Sequence, residues 1–129
     1  MKKLILAAML CGAAMQVMAA DWVYLGKDKD GVSLYGDIAG RTSNRAWFKH
    51  ELNKPRKSPN GKFYKSAKML READCDNGRI KSLSIALYSS MENKVDSYTF
   101  PSFAQEYEYA IPDTIGESMY RFICDQYPR

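Results

Sequence analysis

The chain has 129 residues, a formal net charge of +4 at pH 7, one histidine and three cysteines. This length predicts a single domain. Because His and Cys are so scarce, the chain has few ligands for a metal site and few side chains for Ser–His–Asp or Cys–His catalysis. The composition therefore argues against a metalloenzyme and against these classes of hydrolase.

The N-terminal segment has the pattern of a cleaved signal peptide. Two lysines precede an apolar stretch over residues 4–18, which is too short to span a bilayer comfortably. Val17-Met18-Ala19 resembles a small-residue cleavage site, with cleavage after Ala20 as the second choice. We predict a signal peptide over residues 1–19 and one mature domain over residues 20–129.

Cys11 tests whether the chain is a lipoprotein. A lipidation signal requires a small residue directly before the cysteine and an aliphatic residue three positions before it, whereas Leu10 and Ala8 occupy these positions. The chain is therefore not a clear lipoprotein. We expect an exported protein, either periplasmic or secreted to the cell surface, which meets the membrane only during export and keeps two cysteines in an oxidising compartment.

Three strands are predicted in the first half of the mature chain. Residues 21–26 form the first strand, and the turn that follows lacks the later ligands of a calcium loop. Apolar and polar residues alternate over residues 32–38, which indicates a second half-buried strand. The third strand covers residues 45–52 and carries Trp47 and the single histidine, His50.

A basic segment follows the third strand. Residues 53–62 contain two prolines, an Asn-Gly pair and four basic side chains, a composition typical of an exposed, mobile loop. Across residues 49–68 the local charge is +6, whereas from residue 92 onward it is −4. Clustered Lys and Arg attract sulfated or phosphorylated polymers and acidic protein surfaces. We take as candidate binding residues Lys49, His50, Lys54, Arg56, Lys57 and Lys62.

The central prediction is a β-hairpin over residues 66–89. Asp76-Asn77-Gly78 is a turn signal, because Asn-Gly readily supplies positive φ angles. After the turn, period-two alternation places Ser82 and Ser84 on one face and the apolar residues between them on the other. Before the turn, Arg71 interrupts an otherwise apolar face. A last strand over residues 95–100 follows, and then an irregular, aromatic segment over residues 101–111.

A C-terminal helix is the clearest single element. Thr114 and Glu117 form a capping box, in which each side chain satisfies a free backbone amide at the helix N-terminus. A broad apolar arc follows, with Cys124 at its edge. This arc consists of Ile115, Met119, Tyr120, Phe122, Ile123 and Tyr127.

These elements predict an α+β fold. We expect an antiparallel meander of about six strands with the helix packed on it. Cys75 ends the first strand of the hairpin, and Cys124 is its one partner in the mature chain, so we predict a disulfide between sheet and helix.

Other polar and aromatic residues give weaker indications. His50 is the candidate base of a hydrolase, but a lone strand histidine is more often structural. Trp47 and the aromatic residues near Tyr107 offer a small apolar contact surface, although such residues more often belong to a core. Glu106 and Glu108 are interpreted as solvated. We therefore predict no catalytic residues, no metal site and no cofactor, and no nucleic-acid partner for an exported chain.

An ordered set of features across the mature chain resembles one protein family. It comprises Trp22, Asp37, residues 45–49, residues 64–68, Asp74-Cys75, Tyr88-Ser89, residues 111–117 and Cys124. Together they resemble the bacterial surface-adhesin protein E family. The resemblance implies a small antiparallel sheet crossed by one helix and joined to it by a disulfide. It also implies adhesion to host matrix proteins, and dimerisation is associated with the fold.

Two functional hypotheses follow. The first is an exported, non-enzymatic adhesin-like module that contacts host matrix proteins or polyanions through its basic loop, with a homodimer implied by the family. The alternative is a periplasmic carrier of a small haem-like or hydrophobic ligand, which requires a concave apolar pocket.

Overall fold

The computed structural model describes residues 19–124. Residues 1–18 and 125–129 are outside this range, so the predicted signal peptide (apart from Ala19), Cys11 and Tyr127 lie outside the described residues. No helix within the described range is long and apolar enough to cross a membrane.

Residues 19–124 form seven strands and one α-helix. The strands are β1 (Trp22–Lys27), β2 (Ser33–Asp37), β3 (Arg45–Lys57), β4 (Phe63–Asp74), β5 (Arg79–Tyr88), β6 (Lys94–Thr99) and β7 (Glu108–Tyr109). A short 3₁₀ turn covers Ser102–Ala104, and the helix α1 covers Ile115–Ile123. Strands β1 to β6 pair in sequence order and antiparallel, which confirms the predicted meander. The two-residue strand β7 adds to β5 beside the end of β6.

Helix α1 begins as its sequence predicts. Thr114 accepts a hydrogen bond from the Glu117 amide at 3.3 Å, and the Glu117 carboxylate accepts one from the Asp113 amide at 3.4 Å. These contacts satisfy amides that have no partner inside the helix. The cap fixes where the helix starts and hence which of its residues face the sheet.

The core lies between α1 and the middle of the sheet. Phe48 and Phe122 are fully buried and pack edge-to-face with ring centroids 5.5 Å apart. Met119 and Ile123 are also buried, as expected from the apolar arc of the helix. Gly36 on β2 leaves room for the Phe122 ring, since a Cβ there would lie 2.8 Å from two ring atoms. Because Gly36 has no side chain, the helix can approach β2 closely.

The predicted disulfide between Cys75 and Cys124 is confirmed. It joins the hairpin turn to the end of α1, with the two Cα atoms 5.7 Å apart. Beside it, the Tyr120 hydroxyl donates a hydrogen bond to the Cys75 carbonyl at 2.8 Å. The Arg41 guanidinium also donates a hydrogen bond to the Phe122 carbonyl at 2.8 Å, so the helix C-terminus is held by the disulfide and by these two hydrogen bonds.

A bulge in β5 interrupts the regular alternation of side chains that the sequence predicts for this strand. Leu70 pairs with Ser84, but the next residue, Arg71, pairs with Ser82, which leaves Leu83 as an extra residue. Adjacent strand residues point to opposite faces, so Ser82 and Ser84 lie on opposite faces of the sheet. The prediction that they share a face is wrong, because uniform alternation does not allow for an inserted residue.

Two segments predicted to be irregular contain regular structure. Strand β3 continues to Lys57 and β4 begins at Phe63, so the prediction of a loop over residues 53–62 is wrong for residues 53–57 and holds for residues 58–62. Pro55 is tolerated because it lies within a register shift, where residues 52–55 of β3 face only Lys65 of β4, so its missing amide is not required by the regular ladder. Residues 101–111 are mainly irregular, as expected, but include the 3₁₀ turn and β7.

Candidate functional site

The ends of β3 and β4 form a two-stranded ribbon, defined here as residues 54–63. A turn closes it, with the Ser58 amide donating to the Lys62 carbonyl at 2.8 Å. Asn60 donates a side-chain hydrogen bond to the Val95 carbonyl of β6 at 2.8 Å, and Ser58 is only 5% exposed. The Lys65 ammonium donates to the Leu52 carbonyl at the base of the ribbon. The ribbon is therefore fastened to the sheet at its base and at its tip.

Four of the candidate binding residues lie together on this ribbon. Their side chains are exposed, and within residues 19–124 none of them forms an ion pair with a carboxylate. They are Lys54, Arg56, Lys57 and Lys62. The Lys57 ammonium lies 5.7 Å from the centre of the Phe63 ring, which is itself 60% exposed. Phe63 was not among the candidate binding residues, although it directly follows the basic segment in the sequence.

Lys49 occupies a different environment. Its ammonium lies 5.1 Å from the ring centres of both Trp22 and Tyr35, and 3.7 Å from a Glu51 carboxylate oxygen. Cation–π contacts and the ion pair hold the side chain against the sheet, where it is 19% exposed. The structure thus places Lys49 within a local cluster and not on the ribbon.

His50 points to the opposite face from Lys49, because the two are adjacent in a strand. Its Nε2 atom is buried without a hydrogen-bond partner within the described chain. Burial lowers the pKa of His50, and the nearby positive charge of Arg71 lowers this pKa further. His50 is therefore neutral at pH 7 and is not joined to a hydroxyl or thiol nucleophile in residues 19–124. The geometry gives no support to the hydrolase hypothesis.

A charged network on the hairpin was not predicted. The Glu72 carboxylate accepts hydrogen bonds from Arg45 at 2.8 Å and from the Tyr107 hydroxyl at 2.9 Å, and it lies 3.2 Å from the Lys81 ammonium. Arg79 and Lys81 lie 4.9 and 4.6 Å from the centre of the Tyr107 ring. Burial alone would raise the pKa of Glu72, but the hydrogen bonds from Arg45, Tyr107 and Lys81 lower it. Tyr107 thus belongs to a polar network and not to an apolar contact surface.

Two cavities bear on the carrier hypothesis. The larger, about 720 Å³, lies between the start of α1 and the β1–β2 turn. Its lining includes Leu25, Leu34 and Ile115 but also Lys27, Asp28, Lys29, Asp113 and Glu117. The smaller, about 230 Å³, lies beside Arg71. Because both linings are rich in charged groups and the core beneath α1 is filled, neither cavity favours a carrier of haem or of another large hydrophobic ligand.

The remaining acidic and sulfur-containing residues do not assemble a metal site. Within residues 19–124 no group of three or more His, Cys, Asp or Glu side chains is close enough to hold a metal ion. Glu106 and Glu108 are exposed, as expected for solvated carboxylates.

Comparisons with known proteins agree with this fold. No curated protein sequence matches the chain. The structure is similar to crystal form II of Haemophilus influenzae protein E, with a TM-score of 0.59, 16% identity, and coverage of 87% of this chain and 92% of the other. It is also similar to protein E from non-typeable Haemophilus influenzae, with a TM-score of 0.52, 16% identity, and coverage of 88% and 80%. The sequence profile of surface-adhesin protein E matches residues 22–125. The chain therefore belongs to the surface-adhesin protein E family.

Proposed function

We propose that the chain is an exported, non-enzymatic adhesin that attaches to polyanionic polymers, or to acidic patches of host matrix proteins, through the β3–β4 ribbon. The observation that carries this proposal is the group of four exposed basic side chains at residues 54, 56, 57 and 62, which have no carboxylate partner in residues 19–124. Membership of an adhesin family supports the proposed class of function.

The fastened ribbon suits this role for a physical reason. Binding a charged polymer orders flexible side chains and loops, and that ordering opposes association. The hydrogen bonds at Ser58 and Asn60 already fix the backbone of the ribbon tip. Only the basic side chains remain to be ordered, so more of the electrostatic attraction is retained as affinity.

The site that we propose is narrower than the sequence-based set. It keeps Lys54, Arg56, Lys57 and Lys62 and adds the exposed ring of Phe63, against which the apolar part of a ligand can pack. Lys49 and His50 are not required, because one is held between aromatic rings and the other is half-buried and neutral. Export, either to the periplasm or to the surface, remains part of the proposal and is tested by fractionation. Sedimentation tests the homodimer that the family resemblance implies.

Heparin is a suitable first probe, because it presents a dense row of sulfate and carboxylate groups. We expect saturable binding of the disulfide-bonded protein at low salt and a steep loss of affinity as added salt screens the charges. The double variant Arg56→Glu/Lys57→Glu should lose most of this binding. The matched control is Arg45→Glu/Arg121→Glu, which makes the same charge change at two exposed side chains, one at the start of β3, opposite Glu72 and far from the ribbon along the strand, and one on α1.

The comparison of the two double variants distinguishes a specific binding site on the ribbon from attraction by the net positive charge of the whole protein. If both lose affinity equally, the net charge is responsible and the ribbon is not a site. If neither variant changes binding to heparin or to an immobilised matrix extract, the proposal is refuted.

A further inference from the structure

Arg71 is a basic side chain on the face of the sheet that packs against α1. Its neighbours at two-residue spacing on β4 are Met69 and Ala73, and Ala73 belongs to the buried core. On the adjoining strands it pairs with Ala46 and Ser82. Burying a charged group next to an apolar core costs folding free energy unless polar or oppositely charged groups pair with it.

The partners of Arg71 are incomplete. One guanidinium nitrogen donates a hydrogen bond to the Ser82 hydroxyl. The Nε atom is buried and has no hydrogen-bond partner among the described residues. Within residues 19–124 no carboxylate forms an ion pair with this guanidinium. Burial lowers the pKa of Arg71 and the charge of Glu108 opposes this shift, but an arginine stays protonated in a folded protein.

A cavity of about 230 Å³ lies beside Arg71. It is formed by β4, β5, β7 and the segment between β6 and β7, and its lining includes Arg71, Ile80, Lys81, Ser82, Phe100, Glu106 and Glu108. Pockets for drug-sized ligands are commonly about 300–1,000 Å³, so this cavity suits a smaller molecule.

The charges around this cavity are separated. Arg71 is half-buried, whereas Glu106 and Glu108 are exposed. The Lys81 ammonium is already engaged, 3.2 Å from a Glu72 carboxylate oxygen. The cavity therefore has one inner positive group, Arg71, which forms no ion pair with a carboxylate of the described residues, and two outer negative groups. Phe100, between β6 and the 3₁₀ turn, adds an apolar surface to the lining.

We propose that this cavity binds a small zwitterion of the α-amino acid class. The ligand carboxylate accepts hydrogen bonds from the Arg71 guanidinium and the Ser82 hydroxyl, while its ammonium group donates to Glu106 or Glu108. A short aliphatic side chain packs against Ile80 or Phe100. The cavity is separate from the β3–β4 ribbon, so this proposal and the adhesin proposal succeed or fail independently.

The test is a titration of the ¹⁵N-labelled, disulfide-bonded protein with L-valine, followed by amide chemical shifts. Acetate and isobutylamine carry the two charged groups of L-valine separately and serve as half-ligands. We expect saturable shifts with L-valine at the amides of Ser82, Ala104 and Glu108, and weaker binding of either half-ligand. Saturation by acetate as tight as that by L-valine would overturn the proposed zwitterion specificity.

Two variants assign the charged contacts. Arg71→Gln should weaken L-valine binding by about tenfold or more, because a hydrogen bond to a charged group is lost. Glu106→Gln/Glu108→Gln should weaken L-valine but not acetate, and since both residues are exposed this variant remains informative even if Arg71→Gln misfolds. The matched control is Glu92→Gln, an exposed acid outside the cavity. No saturable shift with L-valine, or unchanged L-valine affinity in the Glu106/Glu108 variant, overturns the proposal.

Discussion

Replacing Gly36 by Ala tests the close approach of helix and sheet. An added Cβ would lie 2.8 Å from the Cε1 and Cζ atoms of Phe122 and 3.0 Å from its Cδ1 atom, well inside normal contact distance. The ring cannot move away freely, because it packs against Phe48 at 5.5 Å and the Arg41 guanidinium lies 4.8 Å from its centre. One extra methyl group must therefore displace either the Phe122 side chain or the helix.

The expected cost follows from overpacking. Extra methyl groups in a filled core destabilise by about 1–3 kcal/mol, and we expect Gly36→Ala to fall in this range. Phe122→Leu should also cost about 1–3 kcal/mol when made alone, because it removes core volume. In the double variant the smaller side chain makes room for the new methyl group. Its free energy of unfolding should therefore exceed the additive expectation by about 1 kcal/mol or more.

Urea unfolding of the four proteins, followed by near-UV circular dichroism, measures these free energies. Gly116→Ala is the matched control, since its Cβ would meet no atom closer than 3.5 Å, and within a helix it should be neutral or stabilising by up to about 1 kcal/mol. Strict additivity of Gly36→Ala and Phe122→Leu would refute the proposed packing. So would a Gly36→Ala protein as stable as the parent.

Three further predictions concern the crosslink and two titrating groups. Replacing both Cys75 and Cys124 by Ala should lower the free energy of unfolding by about 4 kcal/mol, since the bond closes a loop over 49 positions. The unreduced parent protein should give no free thiol from this pair on denaturation, and free thiols would contradict the disulfide. Because burial lowers the pKa of His50 below the ordinary histidine value of 6.5, the unfolded chain binds the extra proton first as pH falls. The free energy of unfolding should therefore be highest above pH 6.5 and should decrease below it until His50 in the folded protein is protonated. The variant His50→Leu should show a weaker pH dependence of this free energy between about pH 7 and pH 5. Tyr107→Phe removes a hydrogen bond to Glu72, so the Glu72 pKa measured by ¹³C NMR should rise, and an unchanged pKa would contradict the proposed network.

The sequence by itself determined the order of β1 to β6 and α1, and the crosslink between sheet and helix. Alternation over the strands, the turn signal before Gly78 and the capping box at Thr114 are local patterns, and local patterns act through the backbone of the residues that carry them. The disulfide was also predictable, because the predicted mature domain over residues 20–129 contains one pair of cysteines. Gly78 does adopt a positive φ, of 67°, as its turn requires.

Only the tertiary structure decided which side chains meet. The bulge at Leu83 reverses the expected faces of β5, and the register shift before Arg56 turns a predicted loop into the basic ribbon. The hydrogen bond between Glu72 and Tyr107 joins residues 35 positions apart, and the cavity beside Arg71 needs three separate segments. The physical reason is common to all of them. A single inserted residue changes every cross-strand neighbour that follows it, so contacts depend on register, which the sequence pattern of one strand does not fix.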